Sequence, residues 1–185
     1  VSFTVEQAEA RLRAFGHERW KHITEICHEG KADGIGPVEI FAISLRETGC
    51  KNIVGDGGHG RGWTQIDDRF HAPWLRAHAG CKSGSWEPTK HHALEPGYCP
   101  SLTASTLYTI VLLRGNRQFL IANGVPSGHA AQAAIAAFNC GAGGALAAYR
   151  SGHIDIRTTG RNYSADVLKN EAAVRAALKR LRWSQ

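Results

Sequence analysis

Apolar residues recur three and four positions apart along most of this chain, and that spacing predicts helices. Over residues 5–28 the positions Ala8, Leu12, Phe15, Ile23 and Ile26 share one helical face, with Gly16 a weak point in the run. "GKADGIG" then breaks the pattern. Pro37 suits the first position of a new helix, where a missing N–H costs nothing, and Gly49 stops that helix after Thr48. Ser101 or Thr103 is expected to cap a helix reaching about residue 121, with Leu107, Ile110, Val111 and Arg114 in step. Ser127 is expected to cap "GHAAQAAIAAFNC", and "GAGG" to separate it from a short helix over 145–150. A last helix, 163–182, carries Val167, Leu168, Val174, Leu178 and Leu181 as its stripe. Period-two alternation is nearly missing, apart from a ribbon in "RGWTQID", and residues 68–100 read as one long irregular segment. The prediction is a single, mainly α-helical domain over 1–185 with a small β-ribbon.

Composition narrows the class. A chain of 185 residues with 43% hydrophobic and 21% charged residues can bury a core, which excludes a disordered polymer. No apolar run is long enough to span a bilayer, so no membrane insertion is expected. "VSFTVEQAEA" lacks the basic flank and apolar centre of a secretory signal. A chain that starts at Val1 and holds no methionine is expected to be a processed or excised product.

The net charge of +6 favours an anionic partner, either nucleic acid or a bacterial wall with its carboxylates and phosphates. The surplus thickens at Arg175, Lys179, Arg180 and Arg182, which also fits a solvated helix face. Basic residues are otherwise dispersed and not interleaved with aromatics, so no nucleic-acid partner is expected. Five cysteines leave at least one unpaired if the rest are bridged, and no CxxC spacing supports a zinc ribbon. Cys81 and Cys99 bracket a loop that a disulfide could staple, worth roughly 3 kcal/mol. Cys140, in an Ala-rich run, reads as a small buried apolar residue. His91 and His92 are adjacent on what reads as a polar loop, without the carboxylate spacing of a site, so neither metal nor cofactor is expected.

Glu47 is the carboxylate of most interest. In "PVEIFAISLRETG" it follows Ile43 by four residues and Ile40 by seven, on an apolar stripe. It also occupies the last helical turn, where the dipole's negative end disfavours ionisation. Desolvation and dipole both raise a carboxyl pKa, the property a general acid needs. A pairing with Arg46 or Lys51 at the surface is the plainer alternative. Downstream lies "GDGGHGRGWTQID". It lacks the GK[ST] and following helix of a phosphate loop, and the alternating oxygens and closing glutamate of a calcium loop. A turn or ribbon presenting Asp56 and Asp67 remains, with glycines allowing positive φ and close backbone approach. One protonated acid facing ionised aspartates is the equipment of glycoside hydrolysis.

"ISLRETG" followed by "GDGGHGRGWTQIDDRFH" resembles the catalytic helix and ribbon of goose-type lysozymes, which share a larger family with bacterial soluble lytic transglycosylases. "AIAAFNCGAGG" resembles that family's Ala-Tyr-Asn-Ala-Gly segment, and "TTGRNYSADVL" its terminal tyrosine motif. The motifs come in the family's order and cover roughly residues 20 to 170, with an insertion at about 70–100. The resemblance implies a lysozyme-like α-helical domain whose cleft lies beside the small ribbon. It implies Glu47 as general acid, Asp67 and Asp56 as the aspartates that position and activate water, and Gln65, Asn139 and Tyr163 as cleft residues. "GWTQ" stands where the family has Gly-Leu-Met-Gln and "FNCG" where it has Tyr-Asn-Ala-Gly, so Trp63 and Phe138 are expected to shape the substrate subsites, with Thr64 and Cys140 beside them. The activity implied is an inverting muramidase, cutting between N-acetylmuramic acid and N-acetylglucosamine in peptidoglycan. A lytic transglycosylase giving 1,6-anhydro products, or a chitinase with the same acids, would carry the same motifs. A monomer acting on the glycan strands of the bacterial wall is expected, whether encoded by a phage or secreted.

Overall fold

The first predicted helix is in fact two. Gly16, at φ 93°, ends α1 (Val5–Phe15), its N–H closing on Leu12, and α2 (His17–Glu29) starts at the next residue. Thr4 caps α1 in a reciprocal box: its hydroxyl accepts from the Gln7 N–H while the Gln7 side chain accepts from the Thr4 N–H. The structure, a computed structural model, describes residues 1–29 and 34–183. The predicted break at "GKADGIG" therefore falls largely outside the described residues.

Pro37 opens α3 (Pro37–Thr48), and Gly49 closes it in the left-handed conformation. Almost every α3 residue from Val38 to Leu45 is buried, and the helix packs along α8 (Tyr163–Leu181) at the centre of the molecule. Around it, Phe15, Trp20, Phe41, Trp63 and Trp86 form an aromatic cluster of stacked and edge-on rings. A second, smaller core joins α5 (Leu102–Ala122), α6 (Ser127–Cys140) and α7 (Ala142–Arg150). Ala130, Ala133, Ala137 and Ala145 let these helices approach closely. Pro126, rather than Ser127, occupies the cap position of α6. Gly141 alone makes the break before α7, so the helix starts three residues ahead of the expected 145.

Residues 68–100 depart from the prediction of an irregular segment. They contain α4 (Asp68–Ala77), kinked at His71 with Pro73 inside it, followed by three short strands. The first sheet consists of β1 (Val54–Gly55), β2 (Gly60–Arg61) and β3 (Ile66–Asp67) in sequential antiparallel order. The second places β4 (Ala79–Lys82) between β5 (Pro88–His92) and β6 (Tyr98–Pro100). His91 and His92 thus belong to a strand, and both turn to Glu95. Cys81 and Cys99 face each other across the β4–β6 ladder, but both are buried free thiols. The expected staple is not formed. The ladder closes the loop instead.

The architecture is mainly α with two small antiparallel sheets. Among the described residues no helix is long and apolar enough to cross a membrane.

Candidate active site

Glu47 sits one residue before the end of α3, partly buried beneath the start of α8. The Tyr163 hydroxyl donates to its Oε1 at 2.5 Å. Burial is the strongest influence on this carboxyl and raises its pKa above the ordinary glutamate range. The Tyr163 hydrogen bond and the Arg46 guanidinium pull it down, and the nearby Asp56 charge pushes it up. Arg46 lies over the Tyr163 ring, 5.4 Å from its centre, and its Nε is 3.3 Å from Asp166. Tyr163 itself is 1% exposed, and burial together with Glu47 holds its hydroxyl well above the usual phenol pKa. It therefore donates a hydrogen bond and keeps its proton.

Tyr163 is placed by the start of α8, where Asn162 provides no side-chain cap. Asp155, buried in the connection between α7 and α8, does that work. Its carboxylate accepts from the Ser164 N–H at 2.8 Å, the Ala165 N–H at 3.1 Å and the Ser164 hydroxyl at 2.8 Å. Asn139, near the end of α6, accepts from the Thr159 N–H at 2.8 Å and so fastens the turn that leads into α8.

The glycine-rich stretch is the first sheet, and its glycines answer to Gln65. The Gln65 amide lies across the ribbon, donating to the carbonyls of Gly62 at 2.7 Å and Ile53 at 3.1 Å. Gly55 and Gly60 are paired across β1 and β2, and a Cβ at either would overlap the Gln65 Oε1. Gln65 thus braces the ribbon. Asp56 begins the tight turn between β1 and β2 with φ 47°, aided by Gly57 at φ 62°. Asp67 ends β3 and caps α4 by accepting from the Arg69 N–H at 2.9 Å.

Arg69 joins the two aspartates. Its Nη2 donates to Asp56 Oδ2 at 2.9 Å and to Asp67 Oδ2 at 2.6 Å, while Nε bonds both oxygens of Asp67. The carboxylates consequently stand side by side, with one positive charge shared between them. Hydrogen bonds from Arg69 hold Asp67 below the ordinary aspartate range, so it stays ionised. Sequence reasoning missed Arg69, although its place two residues after a helix-capping aspartate is a usable signal. Asp68, the other acid of "DDR", is occupied by His59 and Arg61. If ionised Asp67 is needed for activity, Arg69→Ala will raise its pKa and move the acid limb of the pH–rate profile to higher pH. A profile with an unmoved acid limb would separate Asp67 from that limb.

A cavity of about 500 Å³ opens between these elements. Gln65 and Asp67 line it from the ribbon side, Phe70 and His71 from α4, Leu112 and Asn116 from α5, and Phe138, Asn139 and Cys140 from α6. The structure thus gathers Asp67, Gln65, Phe138 and Asn139 at one cleft, and Cys140 is a partly exposed wall residue, contrary to its expected burial. Glu47 and Tyr163 are not among these wall residues; they form a second group, which Asp56 influences electrostatically. Trp63 is the clear exception to the predicted site. It is fully buried, stacked on Phe15 at 5.5 Å, and faces the core, so it cannot touch a substrate. It stands in the turn after β2, two residues before Gln65. Among the described residues no three His, Cys, Asp or Glu side chains gather in the way metal ligands do.

No protein-family model matches the chain, and no curated protein matches it.

Proposed function

We propose that this protein is a glycoside hydrolase that cuts the β-1,4 bond between N-acetylmuramic acid and N-acetylglucosamine in bacterial peptidoglycan, in the manner of the goose-type lysozymes its motifs resemble. One observation carries the reading: a carboxyl with a raised pKa, hydrogen-bonded by a buried tyrosine, feels the charge of Asp56, which Arg69 pairs with Asp67, a carboxylate held below its ordinary range. Environments that drive two sets of carboxyl groups apart in pKa assign the acid and the base.

In this mechanism Glu47 gives its proton to the glycosidic oxygen as the C–O bond breaks. A water held by Asp67 attacks the anomeric carbon from the opposite face, and its proton passes to Asp67. Inversion requires room for that water between the carboxyl groups, about 6.5–9.5 Å. Asp56 and Arg69 keep Asp67 in place. Phe138, Asn139 and the α5 residues would receive the sugar rings in the cleft.

Arg69 also supports a second reading. A carboxylate tied by three side-chain bonds to a guanidinium is a weakened base. A lytic transglycosylase needs no protein base for water, because the substrate's own N-acetyl group assists and a 1,6-anhydro sugar forms. Digestion of purified peptidoglycan and of chitin oligomers, followed by mass and anomer analysis, separates the cases. Hydrolysis with initial release of the α-anomer from peptidoglycan is the expected result. A product lighter by one water selects the transglycosylase, and cleavage of chitin alone selects a chitinase. If neither polymer is cut, the glycosidase reading is wrong.

A further inference from the structure

A second hollow lies beyond His71. The same two helices that form one side of the cleft, α4 and α5, enclose this hollow of about 320 Å³ farther along their length. Phe70 and His71 of α4 and Leu112 and Asn116 of α5 line the first cavity. Trp74 and His78 of α4, with Leu107, Tyr108 and Val111 of α5, line the second. Tyr108, Leu112 and Asn116 follow one another at four-residue spacing, so they run in a line along one face of α5. The two hollows therefore follow one another along the same pair of helices. Between them the His71 Nδ1 and the Tyr108 hydroxyl lie 2.9 Å apart.

The lining of the outer stretch is unusual for a surface. Trp74 stacks on Tyr108, with centroids 4.0 Å apart and planes 7° from parallel, and on His78 at 4.2 Å. Leu107 is 46% exposed and Val111 55% exposed beside these rings. Ser101 and Thr103 add hydroxyl groups at the rim. A hollow of this size lined mainly by apolar and aromatic side chains, with a few polar groups at its edge, is the kind of place where ligands bind. Tyr108 and His78 cover the two faces of Trp74, so the hollow offers a pyranose ring edges and the Leu107 and Val111 side chains for its apolar C–H face, and imidazole and hydroxyl groups for its hydroxyls and acetamide.

We infer that the outer furrow between α4 and α5 is a second glycan-binding site, which holds the same polysaccharide strand as it leaves the cleft. This rests on the proposed activity, and a polymeric carbohydrate is long enough to fill both stretches at once. Its effect would be one of strand length, because a chain held at the cleft meets the outer site at high effective concentration.

The test uses the Glu47→Gln protein, which binds without cutting, and soluble peptide-free peptidoglycan glycan strands, short and long, titrated by calorimetry. Long strands should bind more tightly than short ones. Val111→Asp, at an exposed position where folding is unaffected, and Trp74→Ala should each remove about tenfold of affinity for long strands, or 1.4 kcal/mol, and leave short strands unchanged. If both folded variants bind long strands as the parent does, the outer site is overturned while the proposed activity stands. If the parent binds no strand of either length, the activity assignment itself fails and the outer site falls with it.

Discussion

Glu47→Gln is expected to lower the rate of peptidoglycan cleavage by about a thousandfold or more, within the 10²–10⁴ range or above it, with the protein still folded. The amide keeps the size and planarity of the carboxyl and can still accept from the Tyr163 hydroxyl, but it has no proton to give. Thermal melting of the variant should stay close to the parent's or rise, since a desolvated ionisable group is replaced by a neutral one. The parent's pH profile follows from the same groups. Glu47 is raised, so activity falls as pH climbs through its pKa and the donor is lost. Asp67 is lowered, so activity falls on the acid side only when pH drops through that depressed value. The result is an active window wider than two ordinary carboxyl groups would give. A folded Gln variant that clears bacterial walls at the parent's rate would remove Glu47 from the chemistry.

The largest stability effect is expected from Trp63→Ala, at about 3–5 kcal/mol. Trp63 is completely buried, stacked on Phe15 and edge-on to Phe41 and Trp86, so its loss opens a void among three other rings. Its carbonyl also accepts from the Thr48 hydroxyl at 2.9 Å, which ties the β2–β3 turn to the residue after Glu47. In a domain of this size each kcal/mol moves the melting temperature by about 2–4 °C, so a fall of about 10 °C is expected in a thermal melt. Trp63→Phe should cost less, because it keeps a ring in the stack. A Trp63→Ala protein melting within a degree or so of the parent would mean the cluster does not bear on stability.

The helices were legible wherever apolar residues kept helical spacing, as in α3, α5 and α8, and wherever a stop signal such as Gly49 was local. The ribbon was legible from its glycines and alternation. Pro73 concealed α4, since a proline reads as a breaker, yet here it sits beside a kink at His71 that absorbs the irregularity. β4, β5 and β6 were concealed by their brevity and by histidines, cysteines and prolines that show no alternation. At the site, the position of Glu47 at a helix end could be read locally. Its contact with Tyr163, 116 residues away, depends on how α3 meets α8, and only the motif resemblance assigned both residues to the site. Trp63 was misassigned because neighbours in a short turn leave in opposite directions, Gln65 over the ribbon and Trp63 into the core. Why Gly55 and Gly60 must be glycine was equally hidden, because the reason is the Gln65 side chain crossing both of them.

Asp155 gives the molecule a way to adjust acid strength at arm's length. Ser164 and Ala165 hang from its carboxylate, so the residues joining α7 to α8 decide where the phenol at 163 comes to rest. A shorter or stiffer connection there would retune the Glu47 carboxyl without altering the residues that line the cavity. The length of that connection is accordingly a control on the Glu47 pKa that lies outside the cavity wall.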